Sequence, residues 1–77
     1  MNTNTIAYKV ALAGLAHHQI GILFDIKSSR VDHDTSGDFI TFMDDSELLL
    51  VLSPVNGDFV YTYFVYDSTT DIYTEVV

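Results

Sequence analysis

The residues with the most chemistry to offer lie between Asp32 and Phe39. There Asp32-His33-Asp34-Thr35-Ser36-Gly37-Asp38-Phe39 places oxygen donors at alternate positions ahead of a glycine. Oxygen ligands at positions one, three and five with glycine at six open a calcium loop of the EF-hand kind, in which the glycine makes the sharp turn. The likeness stops at the twelfth position, where the motif needs a bidentate glutamate and the chain has Met43. The flanks also read as strands where the motif needs helices. A polar turn ahead of a strand is the better reading, with a calcium-dependent fold carried by Asp32, Asp34, Ser36 and Asp38 as its alternative. His17, His18 and His33 are the remaining metal-ligand types. Adjacent histidines on a helix or strand point apart, and no carboxylate stands in fixed register with them, so neither a metal nor any other cofactor is assigned.

Catalytic patterns are absent from the sequence. It holds no glycine-rich phosphate loop, no nucleophile elbow and no pair of carboxylates whose surroundings push their pKa values apart. Ser28 and Ser29 beside Arg30 read as loop chemistry. The expectation is a protein that binds and is not an enzyme.

Acid dominates the rest. Eleven Asp and Glu against three Lys and Arg give a net charge of −8, and the imbalance is uneven. Residues 1 to 30 set Lys9, Lys27 and Arg30 against Asp25, whereas Val31 to Val77 contain Asp32, Asp34, Asp38, Asp44, Asp45, Glu47, Asp58, Asp67, Asp71 and Glu75 with no lysine or arginine. A surface of that sign repels nucleic acid and anionic membrane and attracts a basic protein surface, with faster association at low salt. A hydrophobic fraction of 48% with five Phe and five Tyr separates the chain from disordered acidic proteins, which lack those residues. Seventy-seven residues are read as a single domain, 1–77, with a small stability margin. The absence of cysteine removes disulfides and thiolate metal sites and favours a cytoplasmic setting. No apolar run approaches the roughly 20 residues of a membrane span, and the basic n-region of a signal peptide is missing.

The elements that must position these charges follow from periodicity. Residues 6 to 17, rich in alanine and leucine, favour a helix by propensity, although Ile6, Tyr8, Val10 and Leu12 also alternate as a strand would. Ile20, Ile22, Phe24 and Ile26 alternate through residues 19 to 27 and predict a strand, followed by a polar loop from Lys27 to Asp38. Phe39 to Met43, Glu47 to Ser53, Phe59 to Tyr66 and Asp71 to Val76 read as strands. They are joined by Asp44-Asp45-Ser46, by a connection from Ser53 to Asp58 containing Asn56-Gly57, and by Asp67 to Thr70. The expected architecture is α+β: an antiparallel meander of four to five strands with one N-terminal helix packed on it, or an all-β fold if residues 6 to 17 are extended.

Alternate turns of a meander lie at the same end of the sheet. Asp44, Asp45 and Glu47 are therefore predicted beside Asp67 and Asp71, while Asp38, Asp58 and Glu75 fall nearer the other end. Aspartate is a good turn residue, since its side chain bonds nearby backbone N–H groups, and that accounts for each one singly. The lack of compensating lysines is left over. The strand from Phe59 to Tyr66 is apolar on both faces, with Phe59, Tyr61, Tyr63 and Val65 on one. One face can pack on the helix, and the other calls for a partner, a second copy of the chain, or the tolerance of tyrosine for half-exposed positions. The expected partner-binding residues are Asp44, Asp45, Glu47, Asp67, Asp71, Tyr61 and Tyr63.

In size, acidity, absence of cysteine and near absence of basic residues, most markedly over residues 31 to 77, the chain resembles small phage-encoded inhibitors. Anti-CRISPR proteins and DNA-mimicking inhibitors of restriction or repair enzymes are examples. The resemblance implies a mode of action and no particular sites, because anti-CRISPR proteins share no common fold. It implies a compact decoy in the cytoplasm of an infected or host bacterial cell. Its carboxylates would imitate regular phosphate charge on a basic, nucleic-acid-binding surface, with no direct contact to nucleic acid or membrane. The alternative of a different class is an assembly module that forms a homodimer through its aromatic strand.

Overall fold

A computed structural model describes residues 2–32, 34 and 37–76. Two short helices, α1 (Ile6–Ala13) and α2 (His17–Leu23), precede five strands, β1 (Ile26–Asp32), β2 (Gly37–Phe42), β3 (Glu47–Val55), β4 (Asp58–Asp67) and β5 (Ile72–Val76). The strands form one antiparallel sheet in the order β1-β2-β3-β4-β5. This is the expected meander in its five-strand form, and the all-β alternative falls because residues 6 to 13 are helical.

The turns follow local chemistry. Asp45 (φ 65°) and Asp71 (φ 57°) take the left-handed conformation that aspartate tolerates better than most residues. Asn56 and Gly57, at φ 51° and 86°, make the two-residue turn whose twist matches that of the flanking strands.

The sequence expectation differs from the structure in residues 14 to 32. One helix ending near His17 and a strand over 19 to 27 are replaced by two helices and a later strand. Gly14 adopts φ 65° and closes α1 by donating its N–H to the Ala11 carbonyl. The Gln19 side chain then accepts the Ala16 N–H at 2.9 Å and starts α2. Alternation at Ile20, Ile22, Phe24 and Ile26 misled because Ile20 is the buried residue of α2, while Ile22 is 79% exposed. The polar loop expected from Lys27 is largely β1, whose residues from Lys27 to Val31 are exposed. Its place is fixed by backbone pairing with β2, as in Ser29↔Ile40 and Arg30↔Phe39, and leaves no apolar periodicity to read.

The core lies between the helices and one face of the sheet. Ala7, Val10 and Ala11, at the i, i+3, i+4 spacing of a helix face, join Ile20 over Ile40, Phe42, Leu48, Leu50, Tyr63 and Val65. These buried side chains are apolar but for the Tyr63 hydroxyl, which donates to the Leu15 carbonyl at 2.7 Å.

The opposite face carries a row of half-buried rings in contact with one another. The Arg30 guanidinium lies 3.9 Å from the Phe39 ring centroid, Phe39 meets Tyr73 at 5.5 Å, and Tyr73 meets Tyr66 at 5.4 Å. Phe39 and Tyr73 stand on strands separated by two others, whose backbones in a flat sheet would be roughly 14 Å apart. The ring contact therefore requires the sheet to coil toward this face. Along residues 62 to 67, β4 is therefore buried under the helices at Tyr63 and Val65, while Thr62, Phe64 and Tyr66 on its other face stay half-buried, the position that aromatic and tyrosine side chains tolerate.

β3 and β4 outrun their neighbours. β2 pairs with β3 as far as Val51 and β5 pairs with β4 as far as Tyr63, so Leu52–Val55 pair only with Asp58–Tyr61 among the described residues. This two-stranded arm includes Pro54, which lies within the connection expected from Ser53 to Asp58. Proline is tolerated there because, among the described residues, no strand lies along the outer edge of the arm to meet its missing N–H.

Candidate functional site

The end of the sheet away from the arm carries the acidic cluster. A cleft of about 260 Å³ is lined by Asp44, Asp45, Glu47 and Asp67 together with Ser46 and Tyr66. Asp71 stands beside it, accepting the Tyr66 hydroxyl proton in a hydrogen bond. Five carboxylates predicted to gather at one end are placed together by the β2–β3 and β4–β5 turns.

Each is held by a defined contact. Asp44 Oδ2 accepts the Ile6 N–H at 2.9 Å, and Oδ1 accepts the Ser46 N–H at 3.0 Å and the Ser46 hydroxyl. Ser46 Oγ in turn accepts the Ala7 N–H at 3.0 Å, and Thr5 Oγ1 accepts that of Tyr8 at 3.2 Å. The free N–H groups at the start of α1 are thus met by side chains, two of them from a turn about forty residues away in the chain. Partial burial works to raise the Asp44 pKa, but hydrogen bonds from Ser46 and Ile6 outweigh it and hold the carboxyl below its ordinary value. Asp67 accepts the Thr69 N–H at 3.0 Å, and that bond likewise holds its carboxyl low. Glu47 accepts the Tyr73 hydroxyl at 2.5 Å, which ties the cluster to the ring layer. Burial first, then that bond, pushes the Tyr73 hydroxyl pKa up. Asp45 pairs with Lys27 Nζ at 2.6 Å.

Lys27 is the residue that sequence reasoning left out. It lies outside the acidic segment, and its approach to Asp45 follows from residues 26 to 32 being a strand beside β2. Asp44, Glu47 and Asp71 are met by hydrogen-bond donors of no net charge. The cluster therefore remains strongly negative while its oxygens are fixed in place, a preorganised charge array.

Tyr61 and Tyr63, the remaining residues expected to bind a partner, lie apart from the acidic cluster. Tyr63 is 9% exposed, beneath the helices, with its hydroxyl engaged by Leu15; Tyr61 is 37% exposed on the arm. Their rings remain neighbours, with centroids 6.4 Å apart. The arm also exposes Phe59, Val60, Val55 and Leu52. A signal for these was present: Asn-Gly flanked by apolar residues marks a tight hairpin, although where adjacent strands stop pairing is not written in it.

The other end holds Asp32, Asp34, Asp38 and Asp58. Asp32 Oδ1 accepts the Asp34 N–H at 3.0 Å, and Asp38 meets His17 Nδ1 at 2.6 Å, linking α2 to the sheet. Ser36 of the calcium-loop reading and His33 lie outside the described residues. Among the described residues no three His, Asp or Glu side chains converge on a point that could hold a metal ion. No helix among them is long and apolar enough to cross a membrane.

No protein-family model matches the chain, and no curated protein or solved structure matches it either.

Proposed function

We propose that the protein is a small acidic binding module, an inhibitor or decoy that occupies a basic, nucleic-acid-binding surface on a larger host complex and performs no catalysis. Its manner of action would be that of phage anti-defence proteins of the anti-CRISPR or DNA-mimic kind, working in the cytoplasm of a bacterial cell. The observation that carries the reading is the fixed carboxylate array of Asp44, Asp45, Glu47 and Asp67 around one cleft, with Asp71 beside it. Nucleic-acid-binding proteins meet phosphate charge with Lys and Arg. A rigid set of carboxylates competes for those residues without the cost of ordering flexible side chains on contact.

The test is capture of a basic protein from bacterial lysate containing CRISPR and restriction complexes, followed by association rates over a salt series. Neutralising Asp45, Asp67 and Asp71 to Asn and Glu47 to Gln should slow association severalfold and flatten its salt dependence. Asp44 stays unchanged because it caps α1. A rate indifferent to both salt and these substitutions, with the melting curve intact, would sink the decoy reading. The second reading, a homodimer through the aromatic strand, is favoured only by the exposed arm.

A further inference from the structure

The face of the sheet that carries the helices does not end where the helices end. Along β3 and β4 the cross-strand pairs Leu48↔Val65 and Leu50↔Tyr63 form its buried part, under α1 and Leu15. The same face continues outward as Leu52↔Tyr61 and Pro54↔Phe59, with Leu52 39% and Phe59 70% exposed. An apolar strip on a two-stranded arm, left uncovered while its continuation is buried, marks a contact surface.

We infer that this strip is a docking site for a cationic amphipathic helix of a protein partner, laid on Leu52, Tyr61 and Phe59 as a continuation of the helical layer that α1 and α2 begin. Two observations select that occupant. The strip repeats, one cross-strand pair further along, a surface that already accepts helices within this chain, so the pleat and spacing suit another. Its electrostatic setting is acidic, because Asp34 and Asp58 lie at this end and no lysine or arginine occurs from Val31 to Val77. A second copy of a chain with net charge −8 is disfavoured by repulsion, and a helix with lysine or arginine beside its apolar stripe is attracted. The inference rests on the basic-partner reading and adds the place where apolar contact is made.

The probe is a synthetic amphipathic helix of leucine and lysine, compared at low salt with a scrambled peptide of the same composition and with polylysine. Amide shifts of the labelled protein and calorimetry report the site and the affinity. The amphipathic peptide is expected to shift resonances from Leu52 to Tyr61, and Phe59→Ser or Leu52→Asn should each weaken it by about tenfold, the effect of one lost apolar contact, with unchanged melting. Equal binding of the scrambled peptide, with shifts confined to residues 44–47 and 67–71, would overturn the arm and leave the acidic array standing. If neither peptide nor polylysine binds, the basic-partner reading itself is overturned. Concentration-dependent dimerisation that Phe59→Ser abolishes would make the occupant a second copy and reject the inference.

Discussion

The two ends of this sheet are built from similar amino acids and behave differently. At the end away from the arm, every carboxylate of the cluster is knit to a donor, and the β2–β3 turn reaches across to cap α1. At the arm end the carboxylates are fewer and the apolar side chains lack cover. Charge count alone would rank the first end as the contact surface. The comparison separates two jobs: a fixed acidic array supplies a field that acts at a distance, and an uncovered apolar strip supplies contact area.

Stability measurements can break or sharpen that contrast. The largest effect is expected from Ile20→Ala, which removes the buried anchor of α2. It should cost about 2–5 kcal/mol by urea unfolding, loosening the helical layer over the core. Asp44→Ala, which takes away the acceptor for Ile6 and Ser46, should cost about 1–2 kcal/mol. A smaller value would mean that the acidic end is not structurally knit.

The same carboxylate sets an acid dependence. Its folded pKa lies below the ordinary 3.8, so its contribution is fully present above that value and is lost as pH falls through the folded pKa. Denaturant midpoints followed from pH 5 downward should fall less steeply in Asp44→Asn than in the parent. Tyr63→Phe deletes the bond to Leu15 and should cost about 0.5–1.5 kcal/mol. Phe59→Ser should alter stability by no more than about 0.5 kcal/mol. A large loss there would show the arm to be structural and erase the difference between the ends.

The sheet was legible from Phe39 onward because its strands alternate and its turns carry Asp, Asn and Gly at positions of positive φ. Placing Asp44, Asp45, Glu47, Asp67 and Asp71 at one end needed only meander topology. Residues 14 to 32 were not legible, since one buried isoleucine sufficed to seat α2 and β1 is held by backbone pairing its side chains do not advertise. The Lys27–Asp45 pair and the exposure of Phe59 depend on where neighbouring strands begin and stop. No local pattern encodes that. Tyr63 shows the same limit: an aromatic residue two positions from an exposed one is buried because Leu15 and α1 lie over it.

The cap on α1 also orders events in time. An eight-residue helix is marginal alone, and its first N–H groups find partners in Asp44 and Ser46, which exist in that arrangement only after the β2–β3 turn has closed. The hairpin should therefore form first and recruit the helix. In pulsed hydrogen exchange during refolding, the amides of Ile6 and Ala7 should gain protection after those of Leu48 and Leu50. The N-terminal helix would then lock after that hairpin, its timing set by a turn far along the chain.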